Sequence, residues 1–316
     1  MVYLLFLIGF ILLIYGANFL VDGASSLAKK YSISNVVIGL TIVALGTSSP
    51  ELVVNLIASF KGSEDVALGN IMGSNISNIL LILGVSALIY PLTVNNNTKW
   101  KEVPLSLLAA VVLWVVANDA IIDGHGFSFV TRSDGLILIA FFVLFMHYAF
   151  SISRETGEQE FEIKVFPLWK SWLMVVGGIA GLILGGKWIV DGAVVIASSM
   201  GMSEALISLT IIAIGTSLPE LATCVVAAMK RNSDIVIGNV IGSNIFNIFF
   251  VLGTSAVIKP LPFNPVLNFD VHVGIIACVL LFAFLFFPRK KMLERWQGGM
   301  FVALYVAYIA ALVVRG

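Results

Sequence analysis

The sequence predicts an all-helical membrane protein of ten crossings, built as two inverted halves of five helices, with discontinuous helices at a shared polar site. Three observations predict it. Of 316 residues, 59% are hydrophobic and 11% charged, well below the quarter charged that is usual for soluble domains. Apolar segments recur from Val2 to Val314, several of them as long as the roughly 17–25 residues a helix needs to span a bilayer. The second half of the chain also repeats the first.

Breaks marked by charge, Pro, Gly or Asn delimit the crossings at 2–27, 33–60, 66–89, 103–118, 134–150, 171–198, 204–229, 235–258, 270–287 and 296–314. The first lacks a basic start and a small-residue cleavage site, and reads as a retained helix. The joining segments are short; the longest, 151–170, separates an N-terminal half at 1–150 from a C-terminal half at 171–316. Lys and Arg orient the chain. With both termini outside the cytoplasm, thirteen fall in inside loops and four in outside loops, with Lys187 left within a span, as the positive-inside rule requires. The predicted location is therefore the inner or plasma membrane, multi-pass. The balanced charge and lack of a basic tract give no reason to expect nucleic acid, and no protein partner is indicated. Cys224 and Cys278 lie in apolar segments and read as small buried hydrophobes.

A shift of 169 residues aligns 39–92 with 208–261 without a gap, giving 28 identities in 54 positions. GANFLVDGA at 16–24 also sits over GGKWIVDGA at 185–193. Five spans per half is an odd number, so the second copy is inverted. Inverted repeats are a transporter plan, with the substrate site near the midplane where broken helices meet. Packing alone would preserve apolar pattern, but here the polar residues repeat most faithfully.

In ALGTSSPELVV at 44–54, Pro50 has no N–H for the carbonyl of Gly46 and its ring clashes with that turn. Carbonyls around Ala44 to Thr47 are thereby freed, which lipid tolerates only if they face protein, water or an ion. Thr47 and Glu51, four apart, are expected on one face. GNIMGSNISN at 69–78 adds Gly69 and Gly73, expected to admit a close helix, and Ser74 and Asn78, expected as oxygen donors on one face. The second copy supplies Ala213, Thr216, Ser217, Pro219 and Glu220, then Gly238, Gly242, Ser243 and Asn247. All the ligating groups are oxygens. That donor set favours a hard cation over zinc or copper, and Ca2+, which takes about six to eight flexible oxygen ligands, over Mg2+. Two carboxylates match one divalent ion. Monovalent ions competing for the same oxygens would give exchange.

GTSSPE with GSNISN, repeated as GTSLPE with GSNIFN, resembles the two alpha-repeats of the sodium/calcium exchanger family, within the calcium:cation antiporter superfamily. The resemblance covers essentially the whole chain and corresponds to a prokaryotic-type member without the large regulatory domain of animal exchangers. It implies that Glu51 and Glu220 bind Ca2+, with backbone oxygens of Thr47 and Thr216 completing the site. It also implies that Ala44, Thr47, Ser48, Ser74, Ala213, Thr216, Ser217 and Ser243 line Na+ sites, with Asn78 and Asn247 at the centre. Many sodium-dependent members have Asp where this chain has Asn247, so the sodium count is open. Proton-coupled relatives typically carry a GNxxE-type string, and the Thr–Ser pairs here favour Na+.

The expected activity is Ca2+-for-Na+ antiport, with transported ions and no cofactor. Proton-coupled exchange is the alternative, a cation channel less favoured, and an enzyme least. Asp22 and Asp191, repeated in VDG, read as helix-end caps or interface contacts, with gating the other reading. Asp65 and Asp234 are expected to cap the third and eighth spans. His125, His147 and His272 are scattered and take no role.

Overall fold

The computed structural model describes residues 2–124, 126–152, 164–200, 215–286 and 292–315. Its main helices are α1 (Val2–Tyr31), α2 (Asn35–Thr47), α3 (Ser49–Lys61), α4 (Glu64–Ile89), α5 (Val103–Val116), α6 (Arg132–Ser151), α7 (Leu168–Ser199), α8 (Leu218–Met229), α9 (Ser233–Ile258), α10 (Asn268–Phe286) and α11 (Arg295–Arg315). Seven of these stretches are long and apolar enough to cross a membrane, and α2 with α3, bent by 45°, makes an eighth. The first part of the expected seventh span, through residue 214, lies outside the described residues.

Local sequence explains the ends. Thr131 opens α6 with a capping box: its hydroxyl accepts from the Asp134 N–H at 3.3 Å, and Asp134 Oδ2 accepts from the Thr131 N–H at 2.8 Å. Gly62 closes α3 in the left-handed region at φ +76°. The caps expected from Asp65 and Asp234 are not found. Ser63 and Asn232 hold the cap positions, and both acids sit two residues further in, within the first turn. There a negative charge still complements the helix dipole.

The core lies around α4 and α9, whose most apolar stretches are 78% and 94% buried against 22–33% for the other long helices. Both pass through a widened π-helical turn, at Ser77–Leu83 and Phe246–Leu252, related by the same 169-residue shift. The outer helices turn large apolar side chains such as Leu4, Leu7, Ile11, Leu136, Val143, Leu144 and Val176 outward, as lipid-facing surfaces do.

α1 and α7 pack against each other along a glycine seam. A Cβ on Gly16 would lie 2.9 Å from the Gly178 carbonyl, and one on Gly185 would lie 2.7 Å from the Gly9 carbonyl. Gly9, Gly16 and Gly23 recur every seven residues, as do Gly178, Gly185 and Gly192. Backbones touch there because no side chain intervenes.

The connections sort into two ends. At one, Asp22 pairs with Lys230 at 2.8 Å, Asn232 Nδ2 donates to Ser25 Oγ at 3.2 Å, and Thr93 N–H donates to Ser233 Oγ at 3.2 Å. The short strands Leu92–Thr93 and Met292–Leu293 pair at that end too. At the other, Lys259 pairs with Glu64 at 2.7 Å, Asn118 and Asn268 exchange side-chain bonds at 2.8–2.9 Å, and Phe129–Val130 pairs with Leu261–Pro262. These two-residue pairings are small departures from an all-α architecture.

Candidate functional site

The α2–α3 break falls at Ser48 (φ −85°, ψ 8°), two residues before Pro50, and its copy at Ser217 has φ −86° and ψ 4°. In both cases the proline occupies the first turn of the following helix, where its missing N–H costs nothing. The break therefore separates Thr47 from Glu51, and the single continuous helical face expected for that pair is not formed. The freed carbonyls are also fewer than the sequence suggested. Ala44 O accepts the Ser48 N–H at 2.9 Å and the Thr47 hydroxyl at 3.3 Å, and Leu45 O accepts the Ser49 hydroxyl at 2.8 Å. The Thr47 and Thr216 carbonyls take no backbone N–H across their breaks among the described residues.

Glu51 and Glu220, one from each half, are 1% exposed and lie within electrostatic reach of one another. Ser48 donates to Glu220 Oε1 at 2.8 Å, across the halves, and Ser74 donates to Glu51 Oε1 at 3.4 Å. Thr216 sits beside the Glu51 carboxylate and Thr47 beside that of Glu220. The threonine hydroxyls are held by asparagines of the opposite half, Thr47 by Asn239 at 3.1 Å and Thr216 by Asn70 at 3.3 Å.

Between α4 and α9 four asparagines form a reciprocal knot. Asn75 Nδ2 donates to Asn244 O, and Asn244 Nδ2 to Asn75 O, both at 3.4 Å. Asn78 Nδ2 donates to Asn244 Oδ1 at 2.9 Å, and Asn247 Nδ2 to Asn75 Oδ1 at 3.2 Å. Each contact maps onto its partner by exchanging residue n with n + 169. The knot consumes amide N–H groups and leaves oxygens over. Glu51 Oε2, Glu220 Oε2, Asn78 Oδ1, Asn247 Oδ1, Ser217 Oγ and Ser243 Oγ are buried without a hydrogen-bond partner among the described residues. Six such oxygens, two on carboxylates, are expensive to bury unless a cation takes them. Among the described residues no three His, Cys, Asp or Glu side chains converge, and the side-chain oxygens bonded to the two carboxylates are serine hydroxyls, a donor chemistry that suits a hard ion.

Glu51, Glu220, Thr47, Ser48, Ser74, Asn78, Ser217, Ser243 and Asn247 are thus all buried, Thr216 is partly so, and Ala44 is buried against the break. Ala213 and His125 fall outside the described residues. The close approach expected of Gly69 and Gly73 is made by their copies: a Cβ on Gly238 would lie 2.6 Å from Val36 O, and one on Gly242 2.7 Å from Leu40 Cα. Nothing lies within 4 Å around Gly69 or Gly73 among the described residues, the symmetric segment 205–209 being outside them. Sequence reasoning overlooked Asn70, Asn75, Asn239 and Asn244. The signal was present, since all four repeat inside the aligned GNxxGSNI strings. Cys224 and Cys278 are buried free thiols, as expected.

The model of the family described as sodium/calcium exchanger protein matches residues 1–151 and 170–314. The inner membrane protein YrbG of Escherichia coli (strain K12) is 37% identical over 322 residues, covering 98% of this chain and 95% of its own. The sodium/calcium exchanger MaX1 of Methanosarcina acetivorans is 30% identical over 343 residues, covering 98% of each. The solved structure of the sodium-calcium exchanger NCX_Mj soaked with 10 mM Na+ and zero Ca2+ superposes with a TM-score of 0.86 at 34% identity, covering 99% of this chain and 100% of that one. The chain is a multi-pass membrane protein that belongs to the sodium/calcium exchanger family.

Proposed function

We propose that the chain exchanges Ca2+ for Na+ by alternating access at a midplane site built by two inverted five-helix halves, 1–150 and 171–316, joined by a cytoplasmic loop at 151–170. The observation that carries this reading is the pair of buried carboxylates, Glu51 and Glu220, one from each half, each bonded by a serine hydroxyl on one oxygen and without a hydrogen-bond partner among the described residues on the other. Ca2+ would take both carboxylates and the Thr47 and Thr216 carbonyls, and one divalent charge would balance the two glutamates. Na+ would occupy the outer oxygens of Ala44, Ser48, Ser74, Ala213, Ser217 and Ser243 and their threonine neighbours, with Asn78 and Asn247 central. Because the two ion sets compete for the same carboxylates, release of one would admit the other.

Ten crossings account for the sorting of contacts into two ends: each pairing described above joins segments separated by an even number of crossings. The charge bias supports both termini being extracytoplasmic. Transport by this route involves no covalent chemistry, so an exchanger and not an enzyme is the reading.

Flux of labelled Ca2+ in proteoliposomes, with Na+, K+ and H+ gradients imposed separately, tests the proposal. Uptake driven by an opposing Na+ gradient is expected. Uptake driven by a pH gradient in sodium-free buffer would instead make the glutamates proton carriers. Uptake without any counter-ion would make the protein a channel.

A further inference from the structure

The ion pair between Asp22 on α1 and Lys230 at the end of α8 has a counterpart under the 169-residue shift: Asp191 on α7 and Lys61 at the end of α3. Both counterparts are described and exposed, yet they form no ion pair with each other. The asymmetry extends to the helices that carry them. α1 packs along α8, whereas α7 scarcely touches α3. The molecule thus holds the same two-residue device in two different states, made at one end and parted at the other. Elsewhere the repeats agree closely, from the breaks at Ser48 and Ser217 to the asparagine knot.

We propose that Asp22–Lys230 and Asp191–Lys61 are alternating latches, each of which forms when its own end of the ion site closes and separates when that end opens. This rests on the exchanger reading, since an inverted repeat whose halves trade conformations trades the side to which its site opens. The engaged pair has side chains 30% and 38% exposed. A pair so wet is weak, and a weak latch suits a two-state element that must release in every cycle.

The test uses full-length protein in liposomes carrying either Asp22→Cys with Lys230→Cys or Asp191→Cys with Lys61→Cys. A short bis-methanethiosulfonate bridges each pair, because a lysine-length contact keeps the backbones too far apart for a direct disulfide. Native Cys224 and Cys278 are 0% and 4% exposed, so background reaction is low. Mass spectrometry of linked peptides should find both pairs bridged in actively exchanging protein. Either bridge should cut Ca2+ flux to background, with reductant restoring it. Failure of the 61/191 pair to bridge in protein that exchanges ions, or full flux through bridged protein, would overturn the latch. If both pairs bridge but the reduced protein moves no Ca2+ under any gradient, the exchanger reading fails while the latch geometry stands. Charge variants supply a second readout. Asp22→Lys should shift half-saturation about two- to five-fold at one membrane face only, and adding Lys230→Asp should restore it. Equal shifts at both faces, or no restoration, would count against the proposal.

Discussion

Asn247 donates one amide hydrogen bond to Asn75 and leaves its own Oδ1 unpartnered among the described residues. An Asp at this position keeps the oxygen and loses the donor, so two acceptors would face each other across 3.2 Å. Asn247→Asp should therefore destabilise the protein by about 1–3 kcal/mol in cation-free buffer, with much of the loss recovered on adding Na+ or Ca2+. Thermal unfolding in detergent, with and without each ion, reads both effects. Equal stability without ions would show that the knot does not depend on this bond. Glu51→Gln and Glu220→Gln each remove half the charge offered to a divalent ion in a fully buried site. A loss of about 2–5 kcal/mol in ion binding is expected, which is roughly 30-fold or more in apparent affinity. Wild-type Ca2+ uptake in either variant would remove the carboxylates from the site. The carboxylates and hydroxyls were legible in the sequence because they are polar groups repeated where lipid would forbid them. The role of Asn75 and Asn244 was not, because amide-to-carbonyl reciprocity emerges only when α4 and α9 cross.

The helices divide into those whose geometry could be read from sequence and those whose geometry could not. Pro50 and Pro219 announced a break, and a break exists at each. Its position two residues earlier follows from proline's tolerance in a first turn, a detail of local geometry and not of composition. The π turns after GSNI had no signal of their own, since SNILLIL and FNIFFVL look like ordinary apolar helix. Widened turns of this kind recur at functional positions, and here they carry Asn78 and Asn247. The glycine seam was readable in principle from its seven-residue spacing in both halves. Two neighbouring residues test it with opposite signs. A Cβ on Gly178 would meet the backbone N of Leu20 at 2.6 Å, whereas nothing lies within 4 Å around Gly177. Gly178→Ala should cost about 1–3 kcal/mol through overpacking, while Gly177→Ala should gain up to about 1 kcal/mol from helix propensity. Thermal midpoints measured side by side check this, and a stabilised Gly178→Ala would refute the seam.

At the scale of the molecule, hydropathy foretold a helical, multi-pass membrane protein, and the β-bridges, Asp22–Lys230 and Lys259–Glu64 gather its connections at two ends. Sequence could not foretell that the halves would differ, because a repeat describes equal copies and only coordinates reveal unequal states. If three Na+ exchange for one Ca2+, each cycle moves net charge, and Ca2+ flux in proteoliposomes should respond to an imposed K+-diffusion potential. Voltage-independent flux would point to two Na+ per Ca2+. The glycine seam gives the unequal halves a mechanical meaning. α1 and α7 are fastened backbone to backbone, so they behave as one beam and not as two oars. Asp22 and Asp191 ride on that beam at opposite ends, about 24 Å apart if some sixteen residues of helical rise separate their levels. On the latch reading, a beam that swings to engage one clasp must lift the other, so both doors of the chamber cannot stand open together, and the ion gradients on either side are protected from a shared leak.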